Sequence, residues 1–200
     1  MTHHFAVIDL GSNSARMTIW SIEQEVVKPV KRLKEMVRLS EDMGSSRILQ
    51  PAAMARTLKA LQGFKAELDK YDDIDLKAVA TAAVREAKNQ KDFLKRVKNE
   101  AGLTISVIPG TREAEYDFLG VINTLPIQNA LIMDTGGAST ELILVQNRKL
   151  QHLVSIPFGS VNLSERFLNP DVISAAEYFA LSTFIPVSYT HLRAHETTLH

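Results

Sequence analysis

The sequence predicts an α/β fold in which one strand–turn–strand unit is written twice. Three observations predict it. Short apolar runs alternate with segments of helical period from residue 5 onward. The stretch 6–20, AVIDLGSNSARMTIW, returns at 131–145 as LIMDTGGASTELILV, and with Asp9 laid on Asp134 the two agree at Gly11/Gly136 and Ser14/Ser139. From the first copy up to the second the elements run as three strands, then helix, strand, helix, strand, helix.

Phe5 to Ile8, Arg16 to Ile22 and Glu25 to Leu33 read as strands of an antiparallel meander with the Asp9 turn at one end. Ser40 to Ser46 is a polar loop. Pro51 opens a helix where its missing N–H costs nothing, and Met54, Leu58, Leu61, Phe64 and Leu68 keep one face apolar as far as Lys70. Leu76 to Ala80 is a strand that runs into Thr81-Ala82-Ala83-Val84-Arg85-Glu86-Ala87. Asn89 is placed to cap the next helix, with Phe93, Leu94 and Val97 facing inward and Gly102 ending it. Thr104 to Ile108 is a strand, broken by Pro109-Gly110, and Thr111 to Asn123 is a helix with Arg112 and Glu113 in its first turn. Those are the elements of a ribonuclease-H-like sheet with helices packed over it, which sets the first domain at residues 1–123.

Thr124 to Asn129 contains Pro126 and no period, so it reads as a linker. The second unit, 130–185, restarts the meander with strands near Leu131 to Met133, Glu141 to Gln146 and Leu150 to Ile156. A short helix over Val161 to Leu168 and a capping box at Ser174-Ala175-Ala176-Glu177 follow. This copy stops before the later strands of the first. Residues 186–200 carry three of the six histidines without period, and the run SYTHLRAHET resembles translated adaptor sequence, so the tail is set aside as suspected non-native sequence, with a disordered native tail and a metal-binding histidine tract as the alternatives.

Composition narrows the function. Lys plus Arg equals Asp plus Glu, 23 each, so bulk charge argues for neither nucleic acid nor an anionic membrane, and any anion site must be local. Zero cysteines exclude disulfides, thiolate metal sites and a thiol nucleophile. The N-terminus lacks a basic region and a long apolar segment, from which a cytoplasmic, non-membrane location is expected.

The repeated turns carry the chemistry. An apolar run ending in Asp and followed by Gly delivers a carboxylate into a tight turn whose backbone N–H groups suit an anion. Ser12, Ser14, Ser139 and Thr140 add hydroxyl donors. A carboxylate beside phosphate oxygens is tolerable where a cation such as Mg²⁺ lies between them. The competing reading is an Asp that bonds its own turn, the ordinary behaviour of Asp-x-Gly; duplication favours the phosphate or metal role.

The blocks AVIDLGSNSARMTIW, ATAAVREAKN, VIPGTREAEYDFLGV, LIMDTGGASTELILV and IPFGSVNLSERF, in this order, resemble the exopolyphosphatase and guanosine pentaphosphate phosphatase family, within the actin, sugar-kinase and heat-shock-chaperone superfamily. The resemblance covers residues 5 to 185. It implies two ribonuclease-H-like (actin-like) domains around a phosphate cleft, the second incomplete in this chain. It implies Glu113 as general base, and Asp9, Asp134 and Glu141 as the acids that position Mg²⁺. It also implies that Gly11, Ser12, Asn13 and Ser14, with Gly136, Gly137, Ser139 and Arg85, hold phosphate. The third glycine of the family's second turn is Ala138 here, which adds a methyl at that turn.

The expected activity is Mg²⁺-dependent hydrolysis of the terminal phosphate of inorganic polyphosphate by water under Glu113. Guanosine pentaphosphate is the alternative substrate. A nucleotide-binding kinase or chaperone relative and a non-catalytic fragment are the other classes. The resemblance also implies a chain that can pair as a homodimer.

Overall fold

The computed structural model describes residues 3–24, 26–167 and 173–184. β1 (His3–Leu10), β2 (Ser14–Glu23) and β3 (Val26–Met36) form an antiparallel meander. After α1 (Pro51–Leu68), β4 (Ile74–Ala80) returns parallel to β1. α2 (Ala82–Glu86) and α3 (Gln90–Ala101) then lead to β5 (Ser106–Val107), parallel to β4. The resulting order, β3-β2-β1-β4-β5, is a mixed sheet. α4 (Gly110–Thr124) connects it to a second, antiparallel sheet of β6 (Ala130–Thr135), β7 (Thr140–Gln146) and β8 (Lys149–Ile156). α5 (Ser160–Phe167) and a helical segment at 175–184 follow. Among the described residues no helix is long and apolar enough to cross a membrane.

Period-two alternation decides the first sheet's orientation. Ala6, Ile8 and Leu10 of β1, with Ala15, Met17 and Ile19 of β2, are buried on one face, under the apolar stripe of α1 and under Phe93 and Val97 of α3. Leu58, Leu61, Phe64 and Leu68 are buried as the spacing predicts, with Ala53 and Thr57 beside them and Met54 half-buried. Truncating Phe64 or Phe93 to alanine would cost about 3–5 kcal/mol from lost transfer energy and the cavity left behind. The other face of the sheet carries Asp9 and Arg16, directly opposite each other in the β1–β2 ladder.

The strands run longer than their apolar cores suggest, because ladder bonding continues through polar residues to the turns. Three local differences have clear causes. Asn89 stands at the N-cap of α3, but its side chain does not cap the helix: Oδ1 accepts from Leu49 N at 2.9 Å and Nδ2 donates to Leu49 O at 3.0 Å, tying the loop after β3 to α3. β5 is confined to two residues because only Ser106 and Val107 reach β4 before Pro109. Thr81 to Ala87, given no element in advance, holds the single turn of α2. The capping box forms as written, with Glu177 N donating to Ser174 Oγ at 3.2 Å and Ser174 N donating to Glu177 Oε2 at 2.7 Å.

The apolar face of α4 goes to the second sheet. Ala114, Phe118 and Ile122 pack with Ile132, Ile143, Val145, Leu150 and Leu153. The 124–129 linker therefore follows a helix whose packing already belongs to that sheet. On the sheet's opposite face Leu131 and Met133 of β6 remain 68% and 64% exposed. Leu168, the expected end of α5, and the 186–200 tail lie outside the described residues.

Candidate active site

The two turns repeat bond for bond. Gly11 N donates to Ser14 O at 3.0 Å, and Gly136 N donates to Ser139 O at 2.9 Å. Asp9 faces Arg16 across its ladder as Asp134 faces Glu141 across the other. The alignment that lays Asp9 on Asp134 also lays the ladder irregularity at Ile19/Trp20 on the one at Leu144/Val145. The match in sequence is thus a match in hydrogen bonding and register.

The turns meet. A Cβ built on Gly137 would stand 3.0 Å from the Cβ of Ser12 and 3.5 Å from the backbone N of Asn13. Any larger residue at 137 would push the jaws apart. Each turn is held from behind. Ser40 N donates to Ser12 O at 3.1 Å, and Val37 N and Arg38 N both donate to Asn13 O. Behind the second turn, Ser160 N donates to Gly136 O at 2.8 Å and Val161 N to Gly137 O at 2.9 Å, so the N-terminus of α5 is satisfied by the turn's own carbonyls. Asn162 Nδ2 donates to Ala138 O at 3.2 Å while its Oδ1 accepts from Gly159 N at 2.7 Å.

Around this contact stand the carboxylates. Glu113, in the first turn of α4, accepts from Arg85 Nη1 at 3.2 Å, and the same nitrogen donates to Ile108 O at 2.9 Å. A helix N-terminus and an arginine both favour the charged form. Burial outweighs them: it pushes Glu113 up to about 7, reinforced by the nearby charge of Glu141 and only partly offset by Arg85. Glu141, the second residue of β7, is 2% exposed. Its Oε1 accepts from Ser155 Oγ at 2.7 Å and the carboxylate also receives the Ser139 hydroxyl; burial raises it, and these two bonds pull it back. Asp9 is also raised by burial, with Arg16 pulling it down and Asp134 pushing it up. Asp134 itself is exposed.

Two residues here were not singled out in the sequence. Asp117 lies one helical turn after Glu113, and its Oδ2 is buried without a hydrogen-bond partner. Burial, then Asp134, Glu141 and Asp9, push it up to about 7. The signal was available, because residues four apart share a helix face. By the same rule Glu115 turns away, to Arg112 at 2.6 Å. Arg16 is the second, and its place opposite Asp9 follows only from the register.

Beside the turns a cavity of about 440 Å³ is lined by Arg85, Pro109, Gly110, Ala138, Ser139 and Ser155, among others. The predicted site residues are therefore brought to one region: both turns, Glu113, Arg85 and Glu141. Among the described residues no three His, Cys, Asp or Glu side chains converge closely enough to hold a metal ion by themselves. The donors that surround the turns are all hard oxygens, however, and one of them, Asp117 Oδ2, is unsatisfied. Mg²⁺ takes such oxygens and commonly uses one or two carboxylates, completing its shell with water and phosphate oxygens. The residues present fit that ion.

Residues 18–192 match the Ppx/GppA phosphatase family. Among curated proteins the chain is 34% identical over 177 residues to a guanosine-5'-triphosphate,3'-diphosphate pyrophosphatase of Pseudoalteromonas atlantica, covering 88% of this chain and 35% of that protein. It is 34% identical over 172 residues to a bifunctional 3-dehydroquinate synthase/phosphatase of Fusobacterium nucleatum, covering 81% of this chain and 26% of the relative. Among solved structures, the Aquifex aeolicus PPX-GPPA enzyme matches at 32% identity and TM-score 0.75, over 96% of this chain and 64% of that one. An exopolyphosphatase from Cytophaga hutchinsonii matches at 27% identity and TM-score 0.90, over 98% of this chain and 64% of that one. The chain thus spans about a third or less of these curated relatives and less than two thirds of these solved chains.

Proposed function

The chain belongs to the Ppx/GppA phosphatase family, and from that premise we propose that it carries the catalytic half of an exopolyphosphatase, releasing the terminal phosphate of inorganic polyphosphate with Glu113 as general base. The observation that carries this reading is the contact of two hydrogen-bond-matched glycine turns beside a half-buried carboxyl held near 7. A base of that pKa is divided between its two forms at neutral pH, which suits proton removal from an attacking water.

The turns supply the cradle for the phosphoryl group: Gly11, Ser12, Asn13 and Ser14 on one jaw, Gly136, Gly137 and Ser139 on the other. Arg85 orients the Glu113 carboxylate and presents its remaining guanidinium N–H groups toward the cavity, where phosphate oxygens would accept them. Asp9 and Asp134, one from each jaw, and Glu141 are the residues that would hold Mg²⁺, which when bound neutralises charge on the phosphates. Glu113 takes the proton of the water, and the charges of Glu141 and Asp117 help to hold its pKa up. We read the second sheet as the start of a second copy of the ribonuclease-H-like (actin-like) unit, on the shared register and turn bonding.

Guanosine pentaphosphate remains the second reading, favoured by the Pseudoalteromonas relative, a guanosine-5'-triphosphate,3'-diphosphate pyrophosphatase. Competing the two substrates at matched concentrations decides between them. The mechanism is tested by phosphate release from polyphosphate. Glu113→Gln should lose roughly 10²–10⁴-fold in kcat with KM little changed. Equal kcat in the variant removes Glu113 from the role.

A further inference from the structure

The second sheet carries one polar row on the side that α4 covers. Asp134 of β6 is directly opposite Glu141 of β7, and Glu141 is directly opposite Ser155 of β8. Two residues along each strand the same register gives Ile132, Ile143 and Leu153, which pack in the apolar cluster with α4. Side chains two apart on a strand share a face, so the polar row begins where the apolar cover of α4 ends.

Gly110, the first residue of α4, lets the helix come close to this row. A Cβ built on it would stand 2.5 Å from Ser155 Cβ and closer still to Ser155 Oγ, while the next nearest atom, Arg85 Nη2, is 3.5 Å away. Ser155 is thus wedged between the start of the helix that carries Glu113 and the Glu141 carboxylate, to which its Oγ donates at 2.7 Å.

A buried carboxylate calls for a donor in any case, and a serine that did no more would be ordinary core satisfaction. Two observations ask for more. Asp134 and Glu141 are like charges directly opposite each other across a ladder, an arrangement that destabilises a sheet. The Glu141 side chain is held in that arrangement by the hydroxyls of Ser139 and Ser155. Both serines also line the cavity beside the turns, so the carboxylate is fixed from the side that faces the open space. Two accepted bonds leave a carboxylate with lone pairs free for a cation.

We propose that Ser155 is a positioning residue: its hydroxyl fixes Glu141 in the orientation that lets Glu141 and Asp134 share one Mg²⁺, and the missing side chain of Gly110 leaves the space it needs. This rests on the functional reading above, which gives that ion to the two acids. Hydrogen-bond partners of a ligating carboxylate set its orientation, and their loss commonly lowers metal affinity by about 10–100-fold.

The test is calorimetric titration of Mg²⁺ into the 200-residue chain, with thermal unfolding and phosphate release followed in parallel. Ser155→Ala should bind Mg²⁺ more weakly by at least about tenfold. Gly110→Ala/Ser155→Gly returns one Cβ to the contact without the hydroxyl, and that Cβ then meets nothing nearer than Arg85 Nη2 at 3.5 Å. This exchanged protein should fold and bind Mg²⁺ as weakly as Ser155→Ala. Ser164→Ala, which removes a hydroxyl that donates to Ser160 O within α5, should leave Mg²⁺ affinity within about twofold. Unchanged affinity in Ser155→Ala overturns the role, and a lower unfolding midpoint at unchanged affinity makes the serine merely structural. Full affinity in the exchanged protein, or an equal loss in Ser164→Ala, overturns it as well. If the unsubstituted protein binds no Mg²⁺, the metal reading fails and the role with it. If Mg²⁺ binding weakens as expected but no phosphate is released, hydrolysis fails and the positioning role stands.

Discussion

Glu113 Oε2 and Arg85 Nη1 are 3.2 Å apart, yet the carboxyl of this ion pair is raised rather than lowered. Both side chains are about one-fifth exposed, 21% and 20%, so burial is strong enough to outweigh the arginine. The pair is a setting device: burial lifts Glu113 and Arg85 keeps it from rising further.

The first prediction follows in sign. Glu113 accepts a proton only when ionised, so the rate falls as pH drops through its pKa of about 7. Arg85→Met removes the opposing influence and raises that pKa. The acidic limb of kcat/KM against pH should move to higher pH, with at least about a tenfold loss at neutrality. An acidic limb that stays in place in Arg85→Met would show that the arginine does not tune this base.

Asp117 leads to a second prediction, about stability. Its folded pKa is about 7 against an ordinary value of 3.8, so the folded state holds a proton that the unfolded chain has lost. For a raised carboxyl the sign is that stability is intact below the unfolded pKa, falls as pH rises from about 4 toward 7, and is lowest above 7. Asp117→Asn removes that penalty. After discounting for its partial exposure, the gain at pH 8 without divalent cation is on the order of 1 kcal/mol, or about 2–4 °C in Tm. Thermal unfolding at pH 8 and pH 4 should show the gain at the first and its disappearance at the second.

What was legible in the sequence was whatever local pattern alone decides. The α1 stripe, the Asp-x-Gly turns, the capping box at Ser174 and Glu177, and the Gly102 stop in left-handed backbone at φ 66° all depend on neighbours within a turn or two. What stayed hidden depends on long-range placement. Asn89 carries the chemistry of a cap but finds a better partner in Leu49, forty residues away. Glu141 looks like a strand-edge carboxylate until Ser155 of the next strand closes over it. Arg16 becomes a neighbour of Asp9 and Lys34 only through register. The destination of the apolar face of α4 required knowing which sheet would meet it.

Gly159 provides a third prediction. A Cβ placed there would lie 2.5 Å from Ala138 N and from Gly137 C, both backbone atoms of the second turn. No rotamer change relieves such a clash, so Gly159→Ala must displace the turn or α5. About 1–3 kcal/mol of stability should be lost. KM for polyphosphate should rise as the jaws lose register. Gly63→Ala, at an exposed position of α1 with open space around its Cβ, is the matched control and should be neutral or slightly stabilising. Comparing Tm and KM for the two separates loss of backbone clearance from a generic glycine effect.

The last prediction concerns the face of the second sheet opposite α4. Leu131 and Met133 lie on β6, a strand with one edge unpaired among the described residues, and are 68% and 64% exposed. Leu142 and Leu144 stand opposite them in the β6–β7 ladder and extend the apolar strip across the sheet. An unpaired edge beside an apolar face is a template for association with another chain. These 200 residues should therefore self-associate with rising concentration, and Leu131→Lys together with Met133→Lys should reduce that association. Neither side chain belongs to the buried cluster under α4, so unfolding midpoints should shift little, within roughly 0.5 kcal/mol. Light scattering across a concentration series reads the first effect and thermal unfolding at low concentration the second. Undiminished scattering in the double variant would place the sticky surface elsewhere.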